Sequence, residues 1–99
     1  MKDERKELIN NLLQSLTELS DSYVESGKST HYIEVLEDKL YGDIIINGNV
    51  AGLIYLARTL IYLASEETIG GHMHLDKTTM LDKCERELII GYKKAEWDT

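Results

Sequence analysis

The chain has 99 residues, of which 42% are hydrophobic and 29% are charged, and its formal net charge is −7. This length predicts one domain, residues 1–99, with a single core and little room for a deep catalytic cleft. Nucleic acids and anionic membrane surfaces attract cationic proteins, so the acidic excess argues against both as partners. A basic protein is the partner that the charge favours, although the same acidity would also keep a small protein soluble.

The composition also bears on the compartment. Cys84 is the only cysteine, which excludes an intramolecular disulfide and fits a reducing compartment. Residues 1–5 lead directly into charged sequence, without the apolar region of a signal peptide. The longest apolar stretch, residues 51–64, is interrupted by Arg58 and is too short to span a bilayer. We therefore expect a cytoplasmic protein.

The first predicted element is an amphipathic helix over residues 3–25. Its apolar side chains recur at spacings of one, three and four, which places them on one stripe. They are Leu8, Ile9, Leu12, Leu13, Leu16, Leu19 and Tyr23. Gly27 supplies a stop after this helix.

Two strands are predicted to follow. Residues 31–37 include Tyr32 and Ile33, which favour a sheet, although the imperfect alternation leaves a helix over residues 34–41 open. Gly42 interrupts the chain, and the β-branched run over residues 43–46 is typical of an interior strand.

A second helix is predicted over residues 50–67, with Asn49 placed to cap its first turn. Apolar side chains occupy nearly all of its circumference, so it must be covered on more than one side. The cover could come from a sheet together with the first helix, or from a second copy of the chain.

The last two predicted strands are residues 72–76 and 87–92, which we expect to pair antiparallel. The element order is then α-β-β-α-β-β. It predicts an α+β fold with two helices packed on one face of a largely antiparallel four-stranded sheet.

The sharpest chemical feature is the segment His72-Met73-His74-Leu75-Asp76. On a strand, His72, His74 and Asp76 would project from one face, and such a set can bind zinc or iron. The metallo-hydrolases that use a similar segment are far longer and need further ligands. In the alternative interpretation these three side chains face solvent while Met73 and Leu75 pack inward. We therefore predict no catalytic residue, no metal and no cofactor, and keep a small metal-dependent hydrolase as the least favoured function.

The segment from Ile44 to Tyr92 contains an ordered series of short motifs: Gly48-Asn49, Gly52-Leu53, Leu56-Ala57, Leu60, Leu63-Ala64, the strand from Gly71 to Asp76, Leu81 and the run from Glu87 to Ile90. In this order and spacing the segment resembles one class of bacterial polymorphic-toxin immunity proteins. The resemblance implies a bacterial cytoplasmic protein that binds and neutralises a cognate toxin domain and catalyses no reaction.

We therefore expect an immunity protein that occludes its toxin stoichiometrically. The predicted contact residues combine carboxylates for a basic partner, two histidines and the single tryptophan: Glu34, Glu37, Asp38, Asp43, His72, His74, Asp76 and Trp97. Trp97 could instead hold the C-terminal tail against the core. A homodimer formed through the apolar second helix, with no toxin partner, is the alternative.

Overall fold

The computed structural model of the protein describes residues 3–25, 28–66, 71–77 and 80–94. Within these ranges the elements follow in the order α1 (Asp3–Asp21), β1 (Val24–Glu25), β2 (Lys28–Ser29), β3 (Ile33–Glu37), β4 (Ile44–Gly48), α2 (Val50–Glu66), β5 (His72–Leu75), β6 (Lys83–Cys84) and β7 (Leu88–Gly91). None of the helices in these ranges has the length and apolar character that crossing a membrane requires. The predicted α+β class is confirmed, and both helices and four of the strands lie where the sequence predicts them.

The strands of the described ranges form three small sheets, so the predicted single four-stranded antiparallel sheet is wrong. Strands β1 and β2 pair with each other, β4, β3 and β6 form a three-stranded sheet in that order, and β5 pairs with β7. Strand β3 is antiparallel to β4 but parallel to β6. The antiparallel pairing of the last two predicted strands is confirmed, since Met73 lies opposite Ile90.

Strand β6 is held against β3 by two carboxylates as well as by the backbone. The Ile33 N–H donates to the Asp82 carboxylate at 2.9 Å, and the Asp82 N–H donates to the Ile33 carbonyl at 2.8 Å. The same exchange recurs further along, because Glu85 accepts from the Glu37 N–H at 3.0 Å and its own N–H donates to Val35 at 2.8 Å. A strand of two residues leaves no periodic signal, so the sequence pattern does not predict this pairing.

Helix α1 ends at Asp21, four residues before its predicted end, because the chain then enters the β1–β2 hairpin. Thr30 closes this hairpin by donating from its N–H and its Oγ1 to the Tyr23 carbonyl, at 3.3 and 2.6 Å. Helix α1 packs along α2, where the Arg58 Nε donates to the Thr17 Oγ1 at 2.9 Å. One flank of the apolar helix α2 is thus covered by α1.

The core lies between α2 and the two larger sheets. Its buried members are Ile33, Val35, Leu75 and Leu81. The half-buried residues that pack against them come from α2, from the loop before β6 and from the strands: Tyr55, Leu56, Met73, Met80, Cys84, Leu88 and Ile90. Since Leu75 belongs to β5 and Val35 to β3, this cluster joins the sheets that no backbone pairing connects.

Asn49 caps helix α2, as the sequence predicts. Its Oδ1 accepts from the Gly52 N–H at 2.8 Å, which satisfies an amide of the first turn. The same oxygen accepts from the Tyr32 N–H at 2.9 Å, and the Asn49 Nδ2 donates to the Thr30 carbonyl at 2.8 Å. The cap therefore also fixes the segment that leads into β3 on the first turn of α2.

Candidate partner-binding surface

Four of the predicted contact residues lie in one structural unit, the β3–β4 hairpin of residues 33–48. They are Glu34, Glu37, Asp38 and Asp43. Lys39 is the one basic residue of the hairpin, so four carboxylates less one lysine leave it a formal charge of −3. The hairpin, which supplies two strands of the β4-β3-β6 sheet, is consequently acidic.

Glu34 lies at the centre of a small polar network on the sheet. Its carboxylate accepts from the Tyr32 hydroxyl at 2.8 Å and from the Asn47 Nδ2 at 3.2 Å, and Lys83 stands opposite it on β6. These hydrogen bonds, that from Tyr32 first, hold the pKa of Glu34 below its ordinary value. The Glu34 carboxylate is therefore an ionised and oriented group on this face.

Glu37 and Asp38 have structural tasks within the hairpin. Glu37 pairs with the Arg86 guanidinium at 2.8 Å, and both side chains are partly exposed. Asp38 accepts from the N–H groups of Leu40 and Tyr41, at 2.9 and 3.4 Å, and so stabilises the turn. The predicted role of both as partner contacts stays a prediction. Asp43 is exposed and immediately precedes β4, and its predicted contact likewise stays a prediction.

The histidines belong to a different sheet. His72 and His74 are exposed on β5, with ring centroids 5.0 Å apart, whereas Met73 is half-buried and Leu75 is fully buried. The two histidines therefore line the solvent face while Met73 and Leu75 pack inward, which agrees with the alternative to metal binding given by the sequence. Strand β5 ends at Leu75, so Asp76 lies beyond the strict alternation on which a shared ligand face depends.

The described residues do not assemble a metal centre. Across residues 3–25, 28–66, 71–77 and 80–94, no three His, Cys, Asp or Glu side chains are grouped so that they could hold one ion. Trp97 lies outside the described residues, so its predicted contact stays a prediction. The carboxylates of the hairpin and the histidines of β5 stand in sheets that share no backbone pairing.

Strand β4 is the feature that the sequence pattern misplaces. Its β-branched run predicts an interior strand, but in the part of the chain that the structure describes β4 is an outer strand of the β4-β3-β6 sheet, and β3 is the interior one. The side chains of Ile44, Ile45 and Ile46 are 37%, 40% and 40% exposed. A run of exposed isoleucines on a sheet edge is an unusual surface for a protein to leave open to water.

The exposed apolar surface continues from β4 onto α2. Leu53 lies against Gly48, since its Cγ is 3.1 Å from the point where a Gly48 Cβ would stand. From there a stripe of exposed apolar residues follows the helix at heptad spacing: Val50, Leu53, Ala57, Leu60 and Ala64. The turn before β4 adds Leu40 and Tyr41, which are 79% and 77% exposed. The two residues directly precede Gly42, a residue type common in turns, and this is the sequence signal that could have indicated an exposed apolar turn.

The comparison with known families decides where the chain belongs. The sequence model of the immunity protein 32 family matches residues 43–93, just over half of the 99 residues. The chain belongs to the immunity protein 32 family. The family-level resemblance over residues 44–92 is therefore confirmed. No curated protein and no solved structure shows significant similarity to the chain.

The family match covers the edge strand and the apolar helix together. Residues 43–93 contain β4, α2, β5, β6 and β7, but neither β3 nor α1. The exposed isoleucines, the α2 stripe and the histidines of β5 all fall within this region, whereas Glu34, Glu37 and Asp38 precede it. The matched segment therefore carries most of the exposed apolar surface described above.

Proposed function

We propose that this protein is a toxin-neutralising immunity protein, which binds a cognate bacterial toxin domain and occludes it stoichiometrically without catalysing a reaction. The observation that carries the proposal is the match of residues 43–93 to the immunity protein 32 family. The protein would act in the cytoplasm of the toxin-producing cell and its siblings.

The exposed surface supports a binding role. Ile44, Ile45 and Ile46 of the hairpin and Leu53 of α2 are large apolar residues that are exposed, and the hairpin itself has a formal charge of −3. An apolar centre with a charged rim is the usual composition of a protein–protein interface. The net charge of −7 favours a basic toxin, whose lysines and arginines would pair with Glu34, Asp43 and the neighbouring carboxylates.

The first experiment tests neutralisation. Candidate toxin domains, taken from the genes that neighbour this one, are expressed in a host with and without this chain, and growth is followed. We expect the toxin to arrest growth, the chain to restore it, and the two purified proteins to form a 1:1 complex. Growth arrest that the chain does not relieve, together with no complex at micromolar concentrations, would contradict the proposal.

A charge reversal tests the basic partner. Asp43→Lys and Glu87→Lys change the net charge equally and alter exposed residues, but only Asp43 belongs to the acidic hairpin. We expect Asp43→Lys to slow association with the toxin about tenfold at low salt and Glu87→Lys to slow it much less, because steering depends on charges near the contact. Equal effects of the two variants, or association that is indifferent to salt, would argue against a basic partner.

The α2 stripe supports a second candidate, a homodimer with no toxin partner. Val50, Leu53 and Leu60 are 63%, 47% and 39% exposed, and their heptad spacing suits a seam between two helices. The mass in dilute solution decides between the candidates: a monomer has 11.3 kDa, and a dimer has twice that mass. A dimer that Leu60→Glu dissociates would favour this candidate.

A further inference from the structure

The hydrogen-bonding pattern of the β3–β4 hairpin determines which backbone groups of β4 face outward. The Asp38 N–H donates to the Asp43 carbonyl at 2.8 Å, and the Asn49 N–H donates to the Tyr32 carbonyl at 3.1 Å. In an antiparallel pair, hydrogen-bonded and non-hydrogen-bonded residue pairs alternate. Asp38 and Asp43 are one hydrogen-bonded pair, so the next such pair along the register is Leu36 and Ile45. Ile45 therefore directs its backbone N–H and C=O groups towards β3.

Ile44 and Ile46 therefore direct their N–H and C=O groups away from β3. The opposite side of β3 shows the complementary pattern, since the carbonyls of Ile33 and Val35 accept from the β6 segment at 2.8 Å. Within the described ranges β4 is the last strand on its side of the sheet. The outward groups of Ile44 and Ile46 thus form an open edge to which another strand can add.

The surroundings of this edge indicate what kind of strand fits it. Apolar side chains stand on both faces, with Ile45 on the face of Glu34 and Ile46 on the face of Leu53. An added strand would therefore place alternate side chains against apolar surface on each side. Carboxylates lie at the turn end of the edge, since Asp43 immediately precedes β4 and Asp38 is hydrogen-bonded to it.

The charge distinguishes a basic segment from a second copy of this chain. Pairing β4 with β4 of another copy would bring two hairpins of formal charge −3 together in molecules of net charge −7. Like charges at an interface are unfavourable and suppress such association. A segment that carries lysine or arginine next to apolar residues instead complements both the carboxylates and the isoleucines.

We propose that the cognate toxin adds an extended, basic segment to the open edge of β4, so that backbone hydrogen bonds to Ile44 and Ile46 form the centre of the complex. This inference rests on the proposed function. The mode is β-strand addition, in which the backbone supplies affinity and alternate side chains supply specificity. The proposed occlusion thereby gains a defined contact element on this chain, strand β4.

Amide hydrogen exchange of the purified chain tests the backbone contact directly. The probe is a catalytically inactivated form of the toxin domain that this chain neutralises in the growth experiment. We expect the exchange of the Ile44 and Ile46 amides to slow about tenfold or more in the complex, because their N–H groups become hydrogen-bonded. The Ile45 amide, which already faces Leu36, should change much less. Unchanged exchange at Ile44 and Ile46 in a formed complex would overturn the proposal.

A matched pair of proline variants tests the same edge by affinity. Ile46→Pro removes an outward N–H of β4 and leaves the β3–β4 ladder intact. Ile89→Pro removes an outward N–H of β7, because the Tyr92 N–H pairs with the Gly71 carbonyl at 2.8 Å and the alternation leaves Ile89 facing away from β5. We expect the Kd for the toxin to rise about tenfold or more for Ile46→Pro and less than about threefold for Ile89→Pro.

The outcomes separate this proposal from the proposed function. Wild-type chain that fails to bind or neutralise the toxin overturns both. Wild-type chain that binds, with both proline variants folded and equally tight, overturns only the strand addition. If Ile46→Pro unfolds the chain, the exchange pattern of the wild-type complex decides. A dimer of the free chain that Ile46→Pro dissociates would show that a second copy occupies the edge, and would also overturn the proposal.

Discussion

Among single residues, Tyr32 and Glu34 show how one hydrogen bond links charge to stability. The Tyr32 hydroxyl donates to the Glu34 carboxylate, which raises the pKa of Tyr32 and lowers the pKa of Glu34. The Glu34 contribution to the free energy of unfolding is complete above the ordinary carboxyl pKa and is lost as pH falls through the lowered pKa. The Tyr32 contribution is complete below the ordinary phenol pKa and is lost as pH rises through the raised one.

Tyr32→Phe removes this hydrogen bond with little change in shape. We expect the pKa of Glu34 to move up towards its ordinary value, so that less stability is lost on acidification from neutral pH. An NMR titration of the Glu34 carboxyl carbon, with urea unfolding at neutral and acid pH, measures both effects. Tyr41→Phe is the control, because Tyr41 is 77% exposed in the hairpin turn. An unchanged Glu34 pKa in Tyr32→Phe would contradict this account.

Among the elements, helix α2 and the start of β3 approach unusually closely. A Cβ at Gly52 would overlap the Tyr32 carbonyl oxygen and lie 2.9 Å from the Ile33 Cγ1. Gly52 is buried in the first turn of α2, where Asn49 accepts its N–H. The Gly48-Asn49 and Gly52-Leu53 motifs that carry the family resemblance thus position the edge strand against the helix.

Gly52→Ala should destabilise the protein although alanine is the better helix former. The helix propensity gain is about 1 kcal/mol, whereas overpacking at a backbone contact costs about 1–3 kcal/mol and here requires α2 to move off β3. Denaturant unfolding measures the difference. In the control Gly91→Ala the new Cβ would be 3.5 Å from the nearest atom, the Gly71 carbonyl oxygen. Equal stability of both variants would show that α2 shifts without cost.

In the whole molecule, a small core holds separate sheets together. The described chain has principal extents of 42 × 38 × 20 Å, and its thin dimension leaves few residues fully buried. Leu75 of β5 is one of them, and it packs in one cluster with Ile33 and Val35 of β3. Among the described strands no ladder joins the two sheets that carry the predicted contact residues, so side-chain packing in this cluster contributes to their relative placement.

Leu75→Ala should lower the free energy of unfolding by about 2–5 kcal/mol, because it leaves a cavity between the sheets. Ile89→Ala on the paired strand β7 should change it by less than about 0.5 kcal/mol, because Ile89 is 65% exposed. Thermal and denaturant unfolding compare the two variants. A small effect of Leu75→Ala would mean that β5 and β7 contribute little to the stability of the β3–β4 hairpin.

The sequence alone determined the local elements and the family. The two helices, the strands β3, β4, β5 and β7, the Asn49 cap and the inward side chains of β5 are predictable, because periodicity and capping depend on neighbours within a few residues. The ordered motifs from Gly48 to Ile90 likewise indicated an immunity protein, which the family match confirms.

Only the tertiary structure decided how the strands pair and which surface stays open. The Asp82 carboxylate reaches Ile33 across 49 positions of sequence and places β6 beside β3. This contact makes β3 the interior strand, and β4 is an outer strand of the described sheet although its composition is typical of an interior one. Pairing across such a distance depends on the whole fold and leaves no periodic trace in either strand, so the exposed isoleucines and their outward amides emerge only in three dimensions.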